Sequence, residues 1–290
     1  MKWTPGGRSR NLDDLRGQSG GGGGFRMGGM GGGGMGIGGL VVVLVLGLIF
    51  GGDFIGGGGG PIATSPGDVA PNGAPVQGTP QEEEQMQFMS FLLDDQQAVW
   101  ARLAPALGTQ YREARLGVFR GAVRSGCGNA SAAMGPFYCP RDERVYLDLA
   151  FFDELASRFG APGDFAQAYV VAHEIGHHVQ NVTGTMGRVQ AEQQRDRRNA
   201  NEYSVRLELQ ADCYAGIWAH STSQRQLLER GDVEEGLAAA SAVGDDRLQQ
   251  QGSGDIKPET FTHGTSAQRA QWFRRGLESG DPRVCNTFES

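Results

Sequence analysis

Cysteine is scarce in this chain: four residues in 290, none in a CxxC spacing, so a thiolate metal centre is excluded as a reading of them. Histidine is nearly as scarce, with five residues, His173, His177, His178, His220 and His263. No basic patch and no basic stretch interleaved with aromatics is present, so nucleic acid is excluded as a partner. There is no internal repeat. Charge is missing altogether from Met27 to Gly52, a gap that bears on the membrane.

What is present is a compact pattern, Ala172-His173-Glu174-Ile175-Gly176-His177-His178. Two histidines four residues apart lie one turn apart on the same helix face, close enough to share one ion. Glu174, beside the first of them, is placed to act on a metal-bound water. HExxH fixes only three positions, so its surroundings matter. Asp164 follows the Pro162-Gly163 turn as an N-cap, and Phe165, Tyr169, Val170, Val171, Ile175, Val179 and Val182 give a broad apolar surface. Gly184 closes the segment. A buried helix with two inward histidines suits a metal better than a solvated surface does. His178 lies about 140° round from His173 and should face away.

A catalytic zinc takes three protein ligands and leaves one position open. No third histidine comes soon after Gly184, so a glutamate on a second helix is the expected substitute. The segment Glu202–Ala219 is apolar nearly all round through Val205, Leu207, Leu209, Ala211, Tyr214, Ile217 and Trp218. Glu208 and Asp212 sit in it one turn apart, and buried carboxylates need a cationic partner. Glu208 is the expected third ligand. Asp212 would receive the second ring N–H of a ligand histidine. Pairing of these acids with Arg206 or Arg225 on a wet face is the alternative, and Glu202 lies on another face of the helix.

The stretch from Cys127 to Phe288 resembles the putative neutral zinc metallopeptidases of bacteria, membrane-anchored proteins with a HEIGHH-type motif. The matching pieces are GPFYCP (135–140), VYLDL (145–149), GAPGDFAQAYVVAHEIGHHVQ (160–180), ELQADCYAGIWA (208–219) and FTHGTSAQR (261–269), in that order. The resemblance implies a gluzincin-like zinc peptidase with one zinc per chain and Glu208 as third ligand. It implies no particular substrate.

The first sixty residues differ in kind, holding 25 of the 48 glycines. Residues 1–35 read as a Gly/Met-rich cytoplasmic segment, 36–55 as a transmembrane anchor and 56–81 as a Gly/Pro-rich linker. Leu40–Phe50 (LVVVLVLGLIF) is densely apolar, and with its uncharged flanks reaches the roughly 20 residues that span a bilayer. The residues before it carry a net +3, and the first charges after it are Asp53, Asp68 and Glu82-Glu83-Glu84. The positive-inside rule then keeps the amino terminus in the cytoplasm and puts the rest in the periplasm. A cleaved signal peptide is the alternative. Residues 82–290 read as the zinc metallopeptidase domain that the resemblance implies, and the chain outside the N-terminal segment carries −10. That is length enough for one sizeable core.

Periodicity predicts an α+β, mostly helical domain with a small β-sheet, preceded by a single transmembrane helix, and the resemblance implies that this domain is zincin-like. Gln85–Leu107 reads as a helix broken near Pro105, Arg144–Leu149 as the clearest strand, and Phe151–Phe159 as a helix. Met186–Ala200 is charged and reads as a mobile or hairpin-like connection over the cleft. Gln224–Gln251 holds further helix, and Ser266–Gly276 reads as a short helix with a serine cap and a terminal glycine. Export would permit Cys127 to pair with Cys139 and Cys213 with Cys285, buried free thiols being the alternative.

The chemistry expected is peptide hydrolysis in the cell envelope on a peptide or protein substrate. Glu174 acts as general base on the zinc-bound water. The VYLDL strand would be the edge that pairs with an extended peptide. His263, in a Thr-His-Gly turn, is the expected oxyanion stabiliser, ahead of Tyr138 or Tyr203 and against a purely structural role. His220 reads as a surface or capping residue. Two other functions fit the residues: a non-hydrolytic metal-binding envelope scaffold or chaperone, and a hydrolase of a peptidoglycan amide.

Overall fold

The computed structural model describes residues 1–17 and 78–288. A four-stranded sheet is built from β1 (Leu12–Asp14), β2 (Arg115–Phe119), β5 (Phe137–Cys139) and β6 (Arg144–Asp148), in the order β1-β2-β6-β5. The β1–β2 and β2–β6 pairs are parallel and β5–β6 is antiparallel. A hairpin of β3 (Ala122–Ser125) and β4 (Gly128–Ser131) stands beside it. The helices are α1 (Pro80–Leu103), α2 (Ala150–Ser157), α3 (Asp164–Val182), α4 (Thr185–Arg195), α5 (Ala200–Gln224), α6 (Asp232–Ala242), α7 (Asp245–Gly252) and α8 (Ser266–Ser279). The expected α+β, mostly helical class is what is observed.

α3 is the axis of the domain. Phe165, Tyr169, Val171, Ile175 and Val179 are all buried, and α1, α5 and α6 pack around them. Two close helix approaches set the geometry. A side chain at Gly176 would meet the Ala211 carbonyl oxygen at 3.0 Å, so α3 and α5 touch backbone to backbone there. At Gly216 of α5 and Gly276 of α8, an added Cβ would come within 2.0 Å of Phe273 O and Cys213 O respectively. Gly276 therefore does not end its helix. It lets α8 lie against α5, and the helix runs on to Gly280, which has φ 69°. Thr265, not Ser266, caps its start, with Gln268 completing the capping box.

Other boundaries also shift. The first long helix starts at Pro80, on a capping box formed by Thr79 and Glu82. Asp164 is the first residue of α3 rather than its cap, and its carboxylate accepts from the Met1 amino group at 2.7 Å. The connection expected over 186–200 is mostly helix α4, which tucks Val189 and Gln193 inward. α5 continues past Ala219, so His220 lies within it and bonds through Nδ1 to the Leu277 carbonyl at 2.8 Å. The VYLDL strand is not an edge: β6 lies between β2 and β5, with Val145 to Asp148 buried, and the edge beside it is β5. A run so apolar on both faces suits an interior strand. Both expected disulfides are formed, Cys127–Cys139 and Cys213–Cys285.

Residues 1–17 were expected in a segment apart from the domain, but they are part of it. β1 pairs with β2, and the Trp3 ring lies 5.1 Å from that of Phe88. The stretch 36–55 read as a transmembrane anchor, and the linker as far as residue 77, lie outside the described residues. Among the described residues no helix is long and apolar enough to cross a membrane.

Candidate active site

His173 and His177 project from the same face of α3, and Glu208 reaches them from α5 across the Gly176–Ala211 contact. Ring nitrogens of both histidines and a Glu208 carboxylate oxygen lie within 4.8 Å of one another. Glu208 Oε2 is 3.1 Å from His173 Nε2, and Oε1 is 3.4 Å from His177 Nε2. Two imidazoles and one carboxylate converging in this way are a donor set that fits zinc and leaves a coordination position open. Glu174 lines the same cleft and is buried.

Each histidine is held from behind. His173 Nδ1–H donates to Asp212 Oδ1 at 2.8 Å, which leaves Nε2 to face Glu208. Asp212 is fully buried and also accepts from the Tyr169 hydroxyl and from Arg269, whose Nε and Nη2 lie 2.8 and 2.9 Å from its two oxygens. The Gly216–Gly276 contact between α5 and α8 brings Arg269 to this point. His177 Nδ1–H donates to Gln180 Oε1 at 2.9 Å, and Gln180 in turn donates to the Leu207 carbonyl at 2.6 Å. Gln180 thus ties His177 to the turn of α5 that carries Glu208.

Charge follows from burial and partners. Burial alone would lower His173, but the Asp212 and Glu208 carboxylates outweigh it and raise the ring to about 9. Burial would raise Glu208, yet the facing His177 and His263 hold it well below the usual carboxylate range. Glu174 goes the other way: burial pushes its carboxyl up, only partly offset by His177 and His173. A carboxyl shifted upward beside a metal-type donor set is better suited to take a proton than an ordinary surface glutamate.

The remaining expected residues fall into place or away. His263 lines the cleft. Its Nδ1 is 3.0 Å from Thr262 Oγ1 and 3.4 Å from Asp245 Oδ1, while Asp245 Oδ2 accepts three backbone N–H groups, from Thr262, His263 and Gly264. Tyr138 also lines the cleft, but its hydroxyl is engaged by His178 Nδ1 at 2.9 Å and by Asn181. Tyr203 is not among the residues that line it. His178 is fully buried and faces away from the other two histidines, donating from Nε2 to the Arg112 carbonyl at 2.6 Å. Sequence reasoning missed Tyr169, Gln180, Asp245 and Arg269. The one available signal was Asp212 itself, a buried acid that needed more than a histidine to balance it.

The cleft holds about 260 Å³. The charged and histidine side chains lining it, Glu174, Glu208, Arg269, His173, His177 and His263, make up its polar part, the floor. Its apolar part, the rim, includes Met134, Phe137, Phe151 and Phe159 and, from α4, Met186 and Val189, beside the polar Gln190 and Gln193.

A family model described as "Putative neutral zinc metallopeptidase" matches residues 1–288. The chain is 46% identical over 300 residues to YpfJ of Escherichia coli K12, an uncharacterized protein, with 99% of each chain covered. It is 48% identical over 204 residues to an uncharacterized protein of Mycobacterium tuberculosis H37Rv, covering 67% of each. No solved structure matches.

Proposed function

The chain belongs to the neutral zinc metallopeptidase family, and on that premise we propose that it is a zinc-dependent endopeptidase of the cell envelope, with His173, His177 and Glu208 as metal ligands. The observation that carries this reading is the convergence of those three donors beside a buried Glu174 at the floor of an open cleft. Zinc held there would supply Lewis acidity, polarising a peptide carbonyl and acidifying a water.

The residues of the chain do the rest. Glu174, with its proton affinity raised by burial, accepts a proton from the attacking water and passes it to the leaving amine. Asp212, Arg269 and Tyr169 keep the His173 ring in one tautomer and one orientation. His263 has its Nδ1 engaged by Thr262 and Asp245, so we assign its Nε2 to the oxygen that gains charge in the transition state. Tyr138 is the weaker candidate because its hydroxyl already serves His178 and Asn181. β5, the sheet edge beside the cleft, takes the peptide-pairing role expected of β6, since an edge strand offers unpaired backbone groups to an extended substrate.

The apolar rim supports a substrate with large apolar side chains next to the scissile bond. It offers little to a sugar-rich peptidoglycan strand. The two disulfides suit an oxidising compartment. The test is to incubate the full-length chain with an unfolded protein and with cell-wall fragments, each with and without a chelator. Chelator-sensitive cleavage of the unfolded protein next to apolar residues is expected. Cleavage of the wall fragments alone would move the chain to the amidases, and zinc binding without hydrolysis of either would make it a scaffold. A fragment starting at residue 82 should not be used, because it lacks β1.

A further inference from the structure

Residues 1–17 and the catalytic domain are joined by three kinds of contact. The first is backbone pairing. β1 runs parallel to β2, with Leu12 opposite Leu116 and Asp14 opposite Val118, and the Leu15 N–H donates to the Val118 carbonyl at 2.7 Å. The second is apolar. Leu12 and Leu15 are buried, and the Trp3 ring rests against Phe88 and Phe91. The third is charge. Asp13 pairs with Arg115 and Arg144, Arg10 pairs with Glu113, and the fully buried Arg16 bridges Asp14 and Glu83. β2 already has β6 on its other side, so β1 completes the sheet rather than decorating it.

A strand cannot hydrogen-bond to a neighbour through a bilayer. We infer that residues 1–17 and the catalytic domain lie on the same side of any membrane that the chain meets.

A same-side arrangement departs from the positive-inside expectation, which counts Arg8, Arg10 and Arg16 among the free charges that hold the amino terminus in the cytoplasm. In the folded chain all three are committed: Arg8 to Asp14 and Glu83, Arg10 to Glu113, and Arg16 to Asp14 and Glu83. Their charge is balanced by carboxylates of the folded chain.

The test is accessibility from one side. Thr4 and Gln251 are both exposed, one on each side of the apolar run. Thr4→Cys and Gln251→Cys variants of the full-length chain are treated with a membrane-impermeant maleimide in intact spheroplasts and again after permeabilisation. Labelling is read above that of the parent chain, and a melting temperature equal to the parent's shows that each variant is folded. Both sites should behave alike, either both labelled in intact spheroplasts or both only after permeabilisation. Labelling of one site in intact spheroplasts and of the other only after permeabilisation would overturn the inference and restore a single crossing.

Discussion

On the floor of the cleft the candidate ligand side chains are tied from behind by hydrogen bonds, whereas the apolar side chains of its rim are held by packing against the core. His173 leans on Asp212, Asp212 on Arg269 and Tyr169, and His177 on Gln180. Met134, Phe151 and Met186 on the rim are half-buried and contribute apolar surface. Holding a metal and aiming a proton transfer need atoms fixed within about 0.5 Å, so the floor is over-determined. Choosing a side chain needs only a surface of suitable size and polarity, so the rim can be looser. Chemistry and selection should therefore fail separately when each region is altered.

The largest expected effect is on the floor. Asp212→Ala leaves the Arg269 guanidinium buried without its partner, and breaking such a pair costs about 3–5 kcal/mol. It also frees the His173 ring, which should weaken zinc about 10–100-fold. Chemical denaturation and metal titration read the two effects. If the variant loses less stability than one on the rim, the floor is not the braced region described here.

The two disulfides sharpen the same contrast. Cys213–Cys285 closes a separation of 72 residues beneath the floor, and Cys127–Cys139 closes one of 12 beside the rim. Chain-entropy reasoning gives about 4 kcal/mol for the first and about 3 kcal/mol for the second. Replacing Cys213 and Cys285 by alanine should also weaken zinc, because α5 carries Glu208. Replacing Cys127 and Cys139 should leave zinc affinity unchanged. Equal losses of zinc in both pairs would mean that the two regions are not separable.

How much of this was legible depended on whether a residue's signal was local. His173, Glu174 and His177 announce themselves by spacing. Glu208 and Asp212 did so as acids in an apolar helix, and the position of Asp212 behind a ligand histidine followed. Arg269 did not, because nothing in its own segment distinguishes it from a solvated arginine. It is placed by a helix contact that depends on Gly216 and Gly276. Gly276 itself was misleading, since a glycine late in an amphipathic segment gives the same signal whether it ends a helix or admits a neighbour. β6 was legible as a strand but not as an interior one. Its interior position comes from β2 on one side and the three-residue β5 on the other. Register between distant segments is a tertiary property, and local pattern does not encode it.

A smaller effect is expected on the rim. Met186→Glu puts a charge among apolar neighbours on α4 without touching a ligand. KM for peptides with a large apolar residue beside the scissile bond should rise about 10-fold, the scale of about 1–2 kcal/mol of lost pocket contact. kcat and zinc content should be nearly unchanged. A fall in kcat with KM constant would show that the rim takes part in the chemistry.

In the proposed mechanism Glu174 moves protons while Glu208 holds the metal, and one paired measurement separates the two roles. Zinc content and the peptide-cleavage rate are determined for Glu174→Gln and Glu208→Gln in the full-length chain. Glu174→Gln should keep one zinc per chain and lose roughly 10²-fold or more in rate, the scale of a lost positioned proton transfer. Glu208→Gln should lose zinc, because a neutral amide is a poorer ligand than a carboxylate. Wild-type cleavage by Glu174→Gln with zinc in place, or full zinc in Glu208→Gln, would contradict the assignment.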